Sequence, residues 1–224
     1  MAGKPGAHLI KPVVYETSLS KVREAFAKGC GGVIIDGIVP ESVMAEAPRM
    51  GGLNTAFHMV CRNNSSQPVW RDSCEDYTLP ETGRWLAEEI SQVAAAGLGW
   101  AYDAKDDILE LMTVWANTAV QTEWHTDNRD KEFVTRPDVH IHICGDGLVV
   151  ASPPEDKRLM MFKSGASHVW AVKSGDKTPD QLLQERGFTL IHLQPGQKLF
   201  FNDQCLHRSA DNVPGQLKMR AAMF

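Results

Sequence analysis

The sequence contains no apolar run approaching the roughly 20 residues that a helix needs to cross a bilayer, and residues 1–8 hold no apolar signal core. The expectation is a soluble, cytoplasmic protein without membrane contact. No Lys/Arg run stands out, and the net charge is −5. The chain thus lacks the basic footprint that phosphate backbones attract, which argues against a nucleic-acid partner. No CxxC pair occurs among the five cysteines, Cys30, Cys61, Cys74, Cys144 and Cys205. An odd, widely spaced set argues against a disulfide framework or a zinc knuckle and predicts reduced, mostly buried thiols. Cys205, close to a candidate ligand described below, is expected to lie near a metal and to be prone to oxidation. There is no internal repeat, low-complexity tract or linker, so residues 1–224 read as a single domain.

What is present is globular: 43% apolar and 23% charged residues, enough to bury a core at this length. Residues 18–28 predict a short helix with Val22, Ala25 and Phe26 on one side, closed by Gly29-Cys30-Gly31-Gly32. Val33-Ile34-Ile35 predicts a buried strand, Asp36-Gly37 a turn, and Pro40-Glu41-Ser42 the opening of a second helix. Residues 54–77 give weak signals around a surface loop at Asn63-Asn64-Ser65-Ser66. In 80–96, Trp85, Leu86, Ile90 and Val93 recur at helical spacing, with Gly97 as the stop, whereas 106–116 fits a helix or a strand. From about residue 114 onward, short β-like runs alternate with polar turns. Val139-His140-Ile141-His142-Ile143 alternates strictly, and the runs 159–162 and 168–172 flank a hairpin-like connection. Thr178-Pro179-Asp180-Gln181 has the form of a helix N-terminus, with Gly187 as its end. Runs 189–193 and 198–202 flank the turn Gln194-Pro195-Gly196-Gln197. Helices first and then a β-barrel or sandwich make the class α+β.

Chemistry concentrates in Glu123-Trp124-His125-Thr126-Asp127-Asn128. On a strand, residues two apart share a face, so His125 and Asp127 can reach one metal together. His207, after the apolar run Phe200-Phe201 and a turn, is the best third ligand. Two histidines and a carboxylate on one face leave the opposite face of an ion open, as an iron that must meet a co-substrate and O2 requires. Farther on, Arg220 in Leu217-Lys218-Met219-Arg220 can fork onto a carboxylate.

This pattern resembles the Fe(II)/2-oxoglutarate-dependent oxygenases of double-stranded β-helix (jelly-roll) fold, whose motif is His-x-Asp, a later His, then an Arg. Gly31-Gly32-Val33-Ile34-Ile35-Asp36-Gly37 followed by Pro40-Glu41 is similar to the family's N-terminal strand-turn-helix, and the stretch from Gln194 through His207 to Asn212 to its distal-histidine strand pair. The resemblance implies a jelly-roll core with N-terminal helices packed on one sheet, Fe(II) on His125, Asp127 and His207, and 2-oxoglutarate on Arg220. It implies oxidative decarboxylation to succinate and CO2 coupled to oxidation of a small-molecule or amino-acid substrate. Asn117 and Thr122, with Trp115 on the run into His125, are candidate co-substrate contacts. Because Asp127 is present, hydroxylation, desaturation or cyclisation fits better than halogenation, and no second arginine marks a nucleic-acid demethylase. One departure stands out: where many members carry a hydroxyl two positions past the arginine, this chain has Ala222.

A rival set, His140, His142 and His207, loosely resembles a cupin metal motif, with enzymatic or binding function. Otherwise His140 and His142 face the interior near substrate or stand half-exposed, with Val139, Ile141 and Ile143 on the packed face. The charged stretch from Asn128 to Pro137 reads as a solvated loop, or as a lid bringing Arg129 or Arg136 to an anionic substrate. Trp124 is a further candidate substrate contact, although a tryptophan there is more often core.

Overall fold

A computed structural model describes residues 6–46, 56–61, 70–71, 76–77, 109–115, 123–127, 138–164, 167–169, 177–211 and 217–223, with helical positions between 81 and 93. The expected loop at Asn63-Asn64-Ser65-Ser66 and the stop at Gly97 lie outside the described residues. The order is β1 (Gly6–Ile10), β2 (Val13–Glu16), a 3-10 turn (Leu19–Lys21), α1 (Val22–Ala27), β3 (Gly32–Ile35), α2 (Glu41–Glu46), β4 (Ala56–Cys61), β5 (Trp70–Arg71) and β6 (Asp76–Tyr77). After the helical positions come β7 (Leu109–Trp115), β8 (His125–Asp127), β9 (Asp138–Cys144), β10 (Leu148–Ser152), β11 (Lys157–Ser164) and β12 (Ser167–Val169). Then follow α3 (Pro179–Glu185), β13 (Thr189–His192), β14 (Lys198–Phe201), β15 (Leu206–Ser209) and β16 (Leu217–Met223). Among the described residues, no helix is long and apolar enough to cross a membrane.

Local signals explain much of this. Thr178 accepts from the Gln181 backbone N–H at 3.3 Å while the Gln181 side chain accepts from the Thr178 N–H at 2.9 Å, so α3 opens on a capping box. Alternation makes β9 a strand, but all seven of its residues are buried, His140 and His142 included, so neither is half-exposed. The ambiguous run 106–116 resolves as strand β7, and the weakly marked 54–77 contains β4, β5 and β6. Tertiary pairing decides both, since β4 lies along β7 from Ala56↔Val114 to Cys61↔Leu109.

Among the described residues, seven strands form one sheet, β1-β11-β12-β8-β15-β10-β13, and nine form another, β2-β3-β14-β9-β16-β7-β4-β5-β6. The β2–β3 pair is parallel, and the pairs around the site are antiparallel. Four pairings nest: β7 with β16, β8 with β15, β9 with β14, and β10 with β13. Because β7 to β10 and β13 to β16 alternate between the sheets, this ribbon holds both sheets together.

Between the layers lies a core of Val13, Ile34, Leu199 and Phe201 from one side and Leu148, Val150 and Leu193 from the other, with Cys205. Burying each such large apolar side chain contributes on the order of 1.5–3 kcal/mol. A second cluster backs the seven-stranded sheet, where Trp124, Val149, Ala151 and Leu206 meet Leu183 of α3 and Phe188. Glu89, among the helical positions, pairs with the nearly buried Lys198 of β14 at 2.8 Å, which sets that helical segment against the nine-stranded sheet.

The turn between β13 and β14 carries the chain from one sheet to the other. Its Gly196 has φ +89°, and an added Cβ would meet the Gly37 carbonyl oxygen at 2.2 Å. Gly196→Ala therefore combines left-handed strain with a backbone clash, and chemical denaturation should show a loss of about 2 kcal/mol or more. A loss below about 0.5 kcal/mol would mean that the turn relaxes freely.

Candidate metal centre

Across the β8–β15 pair, His125 stands opposite His207, and Asp127 follows His125 onto the same face. The imidazole centroids are 4.5 Å apart. Asp127 Oδ1 lies 3.9 Å from Nε2 of each histidine. One ligand atom from each of the three residues falls within 4.8 Å of the others, close enough for small side-chain rotations to bring all three onto one ion.

The rings are oriented in advance. His125 Nδ1 lies 2.8 Å from the Glu123 carbonyl oxygen, and His207 Nδ1 lies 3.2 Å from that of Cys205. A carbonyl only accepts, so each Nδ1 carries a proton, which in a neutral imidazole leaves the lone pair on Nε2. Each histidine uses the carbonyl two residues upstream, the arrangement that fixes the tautomer of metal-ligating histidines. Burial pushes the His207 pKa down to about 4, against the opposing pull of Asp127. His207 is 2% exposed, whereas about a quarter of the His125 and Asp127 side chains is exposed, so the site opens on the β8 side. Neutral imidazoles with a carboxylate and no thiolate form a donor set that suits Fe(II) and its divalent neighbours.

Arg220 lies on β16 beside His142 of β9, and its Nη1 donates to Ser209 Oγ at 3.0 Å. Ser209 belongs to the other sheet, two residues past His207 and so on the same face. The guanidinium therefore crosses between the layers next to the histidine, and its charge contributes to the lowered His207 pKa. Ser209 was missed in the sequence, although its two-residue spacing from His207 was a usable signal. It brings to Arg220 a hydroxyl that position 222 lacks. Lys218 was missed as well. It donates to the Ala210 carbonyl, and burial, then Arg220, pushes its pKa down to about 8.

The rival histidines do not assemble. The His140 ring lies 4.9 Å from Phe201 and 6.4 Å from His207, centroid to centroid. His142 is tied by Nε2 to the Gly145 carbonyl oxygen at 2.8 Å, and burial lowers its pKa. Among the described residues, neither joins the ligand cluster. Trp124, expected as a substrate contact, points the other way: it is 2% exposed, packs in the outer cluster and donates from Nε1 to Asp180 at 2.8 Å. One position before His125, it takes the opposite face. Asn117, Thr122 and Arg129 lie outside the described residues, as does the loop from Asn128 to Pro137.

No protein-family model matches the chain, and no curated protein sequence matches it. Solved structures of 2OG-Fe(II) oxygenases do match it across most of its length. EctD from S. alaskensis in its apoform is 15% identical, covers 97% of this chain and 83% of its own, and has a TM-score of 0.49. AviO1 from Streptomyces viridochromogenes Tue57 is 14% identical over 86% of this chain and 88% of its own, at TM-score 0.46. An oxidoreductase of the 2OG-Fe(II) oxygenase family from Burkholderia pseudomallei is 10% identical over 95% and 94%, at TM-score 0.42. At these values no residue role transfers from them, and the roles of the site residues rest on the chain's own geometry.

Cys205 does not fit the expected oxidation-prone thiol. Its exposure is 0%, and burial followed by the Asp127 charge pushes its pKa far up, which suppresses the reactive thiolate. Iodoacetamide applied to the native protein should leave Cys205 unlabelled by mass spectrometry and modify it only in denaturant. Native labelling would show that the inter-sheet core opens.

Proposed function

We propose that residues 1–224 form one Fe(II)- and 2-oxoglutarate-dependent oxygenase domain that oxidises a small-molecule or amino-acid substrate. The observation that carries this reading is the cluster of His125, Asp127 and His207 on facing strands, with both Nδ1 atoms tied back and both Nε2 atoms beside one carboxylate oxygen. The nested strand pairs support reading the two sheets as a double-stranded β-helix.

Bound iron would supply the activation of O2. The chain supplies the rest. His125, Asp127 and His207 hold the ion from one side and leave the other clear for 2-oxoglutarate and O2. Arg220 binds the distal carboxylate of 2-oxoglutarate as a charge-assisted fork, and Ser209 fixes the angle of that fork. Phe201 and the inter-sheet core beside His207 keep water from the inner wall of the site. Because Asp127 fills the carboxylate position, hydroxylation, desaturation or cyclisation is favoured over halogenation.

Anaerobic addition of Fe(II) and then 2-oxoglutarate should give a visible charge-transfer band, absent in His125→Ala and His207→Ala. Arg220→Met should weaken 2-oxoglutarate binding by about 2 kcal/mol, roughly thirtyfold, and Ser209→Ala by about 1 kcal/mol, roughly fivefold. If iron binds without a band, the co-substrate assignment falls, and if iron does not bind, the whole reading falls.

A further inference from the structure

Among the described residues, β8 and β15 share one register pair, His125 with His207. A second tie between these strands lies on the opposite face. In an antiparallel pair, the residue before His125 stands opposite the residue after His207, so Trp124 and Arg208 are cross-strand partners behind the ligands. The Arg208 guanidinium sits 5.2 Å from the centroid of the Trp124 ring. Both converge on one carboxylate, with Trp124 Nε1 donating to Asp180 Oδ1 and Arg208 Nη2 donating to Asp180 Oδ2, each at 2.8 Å. Arg208 also donates from Nη1 to Asp211 Oδ1 at 2.8 Å and to the Ser209 carbonyl at 3.0 Å. Trp124 and Arg208 are both buried, so either donor, once stripped of its acceptor, is stranded away from water. Asp180 is itself held in place, in the first turn of α3, by the capping box that opens that helix.

We infer that Asp180 is a positioning residue for the metal centre. By gripping the neighbours of both histidines from behind the sheet, it sets the relative position of β8 and β15 that aims His125 and His207 at one ion. The inference rests on the metal-binding reading proposed above. A plain packing role, in which Asp180 only neutralises Arg208 and docks α3, would change stability and leave metal affinity alone. Outer partners of metal ligands typically tune affinity by about 10–100-fold, and a carboxylate acting one residue removed belongs at the lower end.

The test is a Mn(II) titration of the full chain followed by electron paramagnetic resonance, with the Co(II) absorption spectrum reporting ligand geometry. Asp180→Asn and Trp124→Phe should each raise the Mn(II) dissociation constant roughly tenfold and change the Co(II) bands. Leu183→Ala, which thins the packing of the same helix without touching these hydrogen bonds, should lower Tm and keep Mn(II) affinity within about twofold of wild type. Trp124→Phe keeps an aromatic ring in the core and carries the test if Asp180→Asn does not fold. Wild-type affinity in both brace variants overturns the inference, as does a Leu183→Ala protein that loses as much affinity as they do. A wild-type protein that binds Mn(II) no better than His207→Ala overturns the metal reading itself, which is a separate result.

Discussion

β8 meets β15 through the pairing of His125 with His207, and the period of two along a strand makes everything around the site depend on that alignment. Slipping either strand by one residue would exchange that strand's faces, sending Trp124 or Arg208 inward and the neighbouring histidine into the outer cluster. The alignment is supported from both sides. Inside, the two imidazoles meet beside Asp127; outside, an aromatic ring, a guanidinium and a carboxylate close over the same strands. The seven-stranded sheet thus separates a chemical face from a packing face only one residue apart in sequence.

The same alternation accounts for the electrostatics. Arg220 and Lys218 come from the nine-stranded sheet and bond to Ser209 of the other and to Ala210 just past it, so two basic groups bridge the layers beyond His207. Burial, with a smaller contribution from Arg220, favours a neutral His207, the form able to donate a lone pair to a metal.

How much was legible in the sequence follows from how local each signal was. The capping box at Thr178 and the shared face of His125 and Asp127 depend on neighbours three residues apart or fewer, and the structure bears out both. β7 could not be told from a helix because its strand character comes from β4 and β16, its partners on either side. His140 and His142 carry the same two-residue spacing as the ligand pair, and no local feature separates them. What does so is register: β9 lies beside β14 and β16, whereas β8 lies beside the strand bearing His207. Ser209 and the turned-away Trp124 were misjudged for a related reason, since each role depends on the partner across the gap or behind the sheet.

The nesting of the strand pairs also orders the work of assembly in time. The β10–β13 pair closes the shortest stretch of chain among the four nested pairs, and each pair outside it closes a longer one, with a larger entropic cost. The pair that carries the histidines is the second longest. During synthesis, a chain emerging from the ribosome has His125 and Asp127 exposed long before His207 exists to join them. It would then offer a metal ion two candidate ligands rather than three, and the three-ligand set is complete only once the later strands have threaded back along the earlier ones.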